Sequence, residues 1–130
     1  MIHVPPIPPE TAGAVKATVA CGILAGHGDR VRRLYLARNV AVGNERFLLD
    51  PAEQSAIFLD ITRHGWKLLA IYHSHPRREA VPSLTDLRLA AYPHAVMLII
   101  SLADWHRPDI RGYRIAGGQA LEVSFGLEQG

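Results

Sequence analysis

The sequence predicts a mixed α/β domain, a mixed β-sheet with helices packed on it, and three observations carry that expectation. Short, almost wholly apolar runs at residues 19–25, 66–72 and 95–102 have strand length and are bounded by turn-forming residues, the pattern of strands buried inside a sheet. One helix has both ends marked, by Asp50-Pro51 at its start and Gly65 at its stop. Glycine-bearing turns at residues 26–29 and 117–118 each separate two strand-like segments, which reads as two hairpins.

Taken in order, residues 1–9 hold four of the nine prolines and read as an extended, poorly ordered arm. Residues 10–18 form at best a short helix, weakened by Gly13, Val15 and Thr18. The run 19–25 is a strand. Residues 31–40 return as a second, with Val31, Leu34 and Leu36 partly alternating with Arg32, Arg33 and Arg38. Residues 46–49 suggest a short third strand. Asp50 then serves as N-cap and Pro51 as first helical residue. Ile57, Phe58 and Ile61 supply the apolar face, and Gly65 ends the helix. The next strand, 66–72, is central by its lack of polar residues. A polar loop over 76–82, a helix over 83–91, a second central strand over 95–102 and a last hairpin over 110–115 and 120–125 complete the chain. No internal repeat or second boundary appears, so residues 10–130 read as one domain behind the arm.

Composition narrows the functional classes. The 130 residues, 48% hydrophobic and 20% charged, suit one globular core and exclude long disorder, collagen and coiled coil. Fourteen basic against 12 acidic residues leave a net charge of +2, too small an excess to argue for nucleic acid or a membrane surface. The longest apolar run falls far short of the ~20 residues of a membrane span. The N-terminus has no basic segment leading into an apolar one, so a cytoplasmic address is expected. One cysteine cannot close an intramolecular disulfide or build a cysteine-rich zinc site, whereas seven histidines are present. Any metal must therefore be held by histidine and carboxylate.

The segment Tyr72-His73-Ser74-His75-Pro76 concentrates the chemistry. A strand has a side-chain period of two, so His73 and His75 leave the same face of the sheet. Pro76 ends the strand beneath them. After ten further residues comes Asp86, in the first turn of the expected helix. Two imidazoles and a carboxylate supply three of the four positions that zinc prefers and leave the fourth open to water, the mark of a catalytic site. Such an ion lowers the pKa of its water from ~16 toward ~7 and polarises a carbonyl, so the reaction class is hydrolysis of an amide or related carbonyl. Ser83-Leu84-Thr85-Asp86 also reads as a plain helix N-cap. The two roles are compatible, because a capped helix start is a rigid mount for a ligand.

These residues resemble the JAMM (MPN+) metallopeptidases. The family motif, His-x-His, seven residues, Ser, two residues, Asp, is matched at His73, His75, Ser83 and Asp86. Cys21-Gly22-Ile23-Leu24-Ala25-Gly26 and the stretch Phe47 to Gln54 are similar to the bacterial branch, and the likeness runs from about residue 17 to 116. The resemblance implies a three-layer, cytidine-deaminase-like fold. It implies zinc on His73, His75 and Asp86, with Ser83 supporting the attacking water or the oxyanion. Deaminase chemistry is not implied, since its His-x-Glu and Pro-Cys-x-x-Cys signatures are missing.

One position departs from the family. Its general-base Glu stands two residues before the cysteine, where this chain has Val19. General-base assistance contributes roughly 10²–10⁴-fold in rate. Glu10, the only acidic residue upstream, lies nine positions too early. Two functions follow from the resemblance. One is hydrolysis of a peptide or isopeptide bond, at the C-terminal Gly-Gly tail of a ubiquitin-like or sulfur-carrier protein. The other is a catalytically impaired zinc module that binds such a partner.

Overall fold

The computed structural model describes residues 1–4, 19–41, 47–89, 92–104 and 106–127. Eight strands build one mixed sheet: β1 (Ile2–Val4), β2 (Cys21–His27), β3 (Arg30–Ala37), β4 (Lys67–His75), β5 (Val96–Ser101), β6 (Asp109–Ala116), β7 (Gln119–Val123) and β8 (Phe125–Leu127). Helices α1 (Pro51–Arg63) and α2 (Leu84–Leu89) interrupt them. The strand order is β7-β6-β5-β4-β2-β3-β1-β8. β4 lies at its centre, antiparallel to β2 and parallel to β5.

The sheet is curled almost into a barrel, and the chain itself requires this. β7 and β8 are the two edges, yet only Ser124 separates them in sequence. Eight flat strands ~4.8 Å apart would put those edges about 34 Å from each other, whereas consecutive Cα atoms are only ~3.8 Å apart. Curling brings opposite parts of the sheet into one core. Ile2 and Val4 of β1, Leu24 of β2, Tyr72 of β4 and Val96, Leu98 and Ile100 of β5 are buried together, with Val123 and Phe125 against them. Gly22 faces this core because no side chain fits there. A Cβ would lie 2.3 Å from the Tyr35 carbonyl and from the Tyr72 ring.

The outer face carries both described helices. Cys21, Ile23 and Ala25 of β2 and Ile71 of β4 bury Ile57 and Ile61 of α1. Leu87 of α2 packs near Ile99, Tyr113 and Ile115. α1 begins and ends as its sequence signals: the Asp50 carboxylate accepts the Ala52 N–H at 3.0 Å, Pro51 follows, and Gly65 stops it at φ +68°.

Most expected elements are present, with differences at their ends. The 19–25 strand runs on to His27, leaving a tight turn with Gly28 at φ +62°. The 66–72 strand extends through His75, because hydrogen bonding to β5 continues to that residue. Of the expected strand over 46–49, the described residues 47–49 hold an isolated bridge between Asn39 and Leu49, and residue 46 lies outside the described residues. The single strand expected over 120–125 divides at Ser124, and Phe125 joins β8. The arm expected over 1–9 is extended at Ile2–Val4, but there it is woven into the sheet between β3 and β8. The helix expected over 10–18 and the remainder of the arm lie outside the described residues. Among the described residues no helix is long and apolar enough to cross a membrane.

Candidate metal centre

The site grows from the C-terminal end of β4. His73 pairs with Cys21 on one side and Ile99 on the other, and His75 pairs with Ser101. Alternation puts Ile71, His73 and His75 on the outer face, so the apolar layer under α1 passes into an imidazole pair along one strand. Ser74, between them, is turned inward and wholly buried. Its Oγ accepts the Ala20 N–H at 2.8 Å while its own N–H donates to the Ala20 carbonyl at 3.0 Å. That bond pair holds the start of β2 against the histidine strand.

The loop after Pro76 returns the chain over the pair, and α2 delivers Asp86. The Ser83 Oγ accepts the Asp86 N–H at 3.0 Å, and the Ser83 N–H donates to Asp86 Oδ2 at 2.9 Å. This is a reciprocal capping box, with aspartate in place of the commoner glutamate. The structural reading of residues 83–86 and the ligand reading thus coincide. The cap fixes the Asp86 carboxylate, whose Oδ1 lies 3.0 Å from His73 Nε2 and whose Oδ2 lies 3.1 Å from His75 Nε2. The two Nε2 atoms are 3.2 Å apart. His73, His75 and Asp86 are 2%, 7% and 5% exposed.

The electrostatics follow from that enclosure. His73 lies below the ordinary imidazole range because burial disfavours its cation, an effect that Asp86 only partly opposes. Burial alone would raise Asp86, but its close contacts with the His73 and His75 imidazoles outweigh it and hold the carboxyl well below its ordinary range. The arrangement is a buried anion held against two imidazoles, of which His73 is driven toward its uncharged form by burial.

Its spacing fits a small tetrahedral cation. With zinc–ligand bonds of about 2.0–2.1 Å, neighbouring donors of a tetrahedron sit about 3.3 Å apart. The Nε2–Nε2 distance, and the distance from each Nε2 to the Asp86 oxygen that faces it, fall within a few tenths of an ångström of that. Among the described residues these are the three histidine, cysteine, aspartate or glutamate side chains that converge closely enough to hold a metal. The donor types, two nitrogens and an oxygen, suit zinc and other borderline divalent ions.

Residues 20–116 match the family described as prokaryotic homologs of the JAB domain. The chain belongs to that family. Its relatives include the CysO-cysteine peptidase of Mycobacterium tuberculosis, 37% identical over 105 residues that cover 79% of this chain and 72% of the relative. The desampylase of Haloferax volcanii is 35% identical over 124 residues, covering 92% of this chain and 85% of that one. A protein of Desulfitobacterium hafniense, solved in solution, superposes with a TM-score of 0.85 at 34% identity, over all of this chain and 94% of that one.

In this JAB-domain chain the structure brings His73, His75, Ser83 and Asp86 together, and it puts Val19 beside them. The β2–β4 register pairs Cys21 with His73, and the Ala20–Ser74 bonds continue it. By that continuation Val19 falls opposite His75, and it is buried at 6% exposure. Glu10 is outside the described residues.

Sequence reasoning missed two contacts on the histidines. Phe47 stacks on His73, with ring centroids 4.4 Å apart at 19°. His75 Nδ1 donates to the Glu79 carbonyl at 2.8 Å, which leaves the Nε2 lone pair facing the cluster. The aromatic residue before Leu48-Leu49 was a usable signal for the first. A backbone carbonyl leaves no sequence signal.

Proposed function

We propose that the chain is a zinc-dependent hydrolase of a peptide or isopeptide bond, acting at the C-terminal Gly-Gly tail of a ubiquitin-like or sulfur-carrier protein. The convergence of His73, His75 and Asp86 at donor spacings of 3.0–3.2 Å is the observation that most supports it. Relatives named CysO-cysteine peptidase and desampylase support the reaction class. Zinc held there supplies a Lewis acid for the scissile carbonyl and a nucleophile at neutral pH.

The chain's own residues do the rest. His73 and His75 offer their Nε2 lone pairs, and Asp86 offers a carboxylate oxygen and the compensating charge. Ser83 receives the Asp86 N–H on an oxygen lone pair, so its hydroxyl proton is available to the carbonyl oxygen as charge develops there. Such a donor is worth roughly 3 kcal/mol in the transition state. Leu48, Val81 and Leu84, on the segments bordering the cluster, expose apolar side chains against which an extended tail can lie.

Val19 favours a second reading, a zinc-binding module of the same fold that holds a carrier tail and turns it over slowly or not at all. Valine cannot accept a proton, and the loss of a general base costs roughly 10²–10⁴-fold. Measuring bound zinc and hydrolysis of a carrier-protein C-terminal adduct separates the two. Activity in the wild type that disappears in His75→Ala establishes the hydrolase and removes the binding-module reading. An inactive wild type with activity gained in Val19→Glu does the reverse. No zinc under metal-replete conditions defeats both.

A further inference from the structure

The loop between Pro76 and Ser83 has no regular secondary structure, yet three successive carbonyls in it each receive a side-chain donor. Ser101 Oγ, at the end of β5, donates to the Arg78 carbonyl at 2.5 Å. His75 Nδ1 donates to the Glu79 carbonyl at 2.8 Å. The Tyr113 hydroxyl, from β6, donates to the Ala80 carbonyl at 2.6 Å in a fully buried bond. Ser101, Tyr113 and Ala80 are all buried. By the sheet register Ser101 stands beside His75, and Tyr113 stands one strand further out, paired with Met97.

We propose that Ser101 and Tyr113 are positioning residues for the metal-binding imidazole of His75. The inference rests on the reading that the cluster holds zinc. The two hydroxyls fix the Arg78–Glu79 and Ala80–Val81 peptide planes, on either side of the peptide that carries the Glu79 carbonyl, so that carbonyl stays where it accepts the hydrogen bond from His75 Nδ1. An imidazole held through Nδ1 keeps one tautomer and one ring orientation, with Nε2 aimed at the metal. Outer partners of this kind typically change metal affinity about 10–100-fold when removed. Tyr113→Phe deletes only the hydroxyl and leaves the ring among Ile99 and Ile115. Ser101→Ala deletes the other, and Ser101→Thr restores a hydroxyl.

The test is zinc affinity of the full chain, by competition with a chromogenic chelator, beside apo melting temperature and the NMR signal of the His75 Nδ1 proton in the zinc-loaded protein. Tyr113→Phe and Ser101→Ala are each expected to bind zinc about 10-fold or more weakly and to lose protection of that proton. Ser101→Thr is expected to bind as the wild type does. Affinities within twofold of wild type in the Phe and Ala variants, with His75→Ala losing zinc, overturn the proposal whatever happens to the melting temperature. If Ser101→Ala does not fold, Tyr113→Phe decides alone. Equal, negligible zinc binding by wild type and His75→Ala instead overturns the metal reading, and this proposal with it.

Discussion

Two walls face each other across His73 and His75. On the α2 side, Ser83 and Asp86 bond reciprocally, Asp86 reaches both imidazoles, and the loop leading there is tied to β5 and β6. On the β2 side stand Val19, Ala20 and Cys21, whose links to the site are the backbone bonds of Ala20 to Ser74 and the pairing of Cys21 with His73. The first wall can orient ligands and donate a hydrogen bond. The described residues of the second are apolar and include no group that takes a proton near neutral pH. On the proposed reading, holding a metal and moving a proton fall to different elements, so each can be tested by itself.

The comparison can be broken most severely on the α2 side. Asp86→Ala removes one donor and the only anion of the cluster, so stoichiometric zinc should be lost, by more than about 10²-fold in affinity given that even outer-partner losses reach that size. Metal analysis after gel filtration checks it, and retained zinc would show that the wall is not the ligand-bearing one. On the β2 side, Val19→Glu should raise the rate of adduct hydrolysis by roughly 10²–10⁴-fold, measured as kcat at saturating zinc. No gain would mean that the β2 wall lacks more than a base.

A pH series sharpens the contrast through the apo protein. The folded pKa values of His73 and Asp86 both lie below their ordinary ranges. The unfolded chain therefore binds protons more readily, and their contribution to stability is present above their unfolded pKa values and lost as pH falls. Apo melting temperature should be flat above about pH 7 and decline through pH 6 toward 4. The smallest effect concerns Cys21. Burial, with help from the Glu53 charge, pushes its thiol up to about 12. At pH 8 it should resist alkylation until the protein unfolds, as mass spectrometry with iodoacetamide would report.

Much of the fold is legible in local pattern. The apolar runs at β2, β4 and β5 and the caps of α1 declare themselves, since burial and capping act on neighbours in the chain. The spacing of His73, His75, Ser83 and Asp86 is likewise local. It lies within one strand, one loop and one helix turn. The insertion of Ile2–Val4 between β3 and β8 has no such signal, because its partners at residues 125–127 are more than a hundred positions away. The division of the last strand at Ser124 is decided the same way, by where the curled sheet must close.

The sequence by itself determined which side chains form the proposed donor set. One cysteine excluded thiolate ligands, the period of a strand put two imidazoles on one face, and valine at position 19 removed the expected base. Tertiary structure alone decided how the donors are held. Ser101 and Tyr113 read as ordinary strand residues until β5 and β6 bring them to the carbonyls beside Glu79. Side-chain type is written residue by residue, but the orientation of an imidazole depends on hydrogen bonds between strands that only the closed sheet brings together.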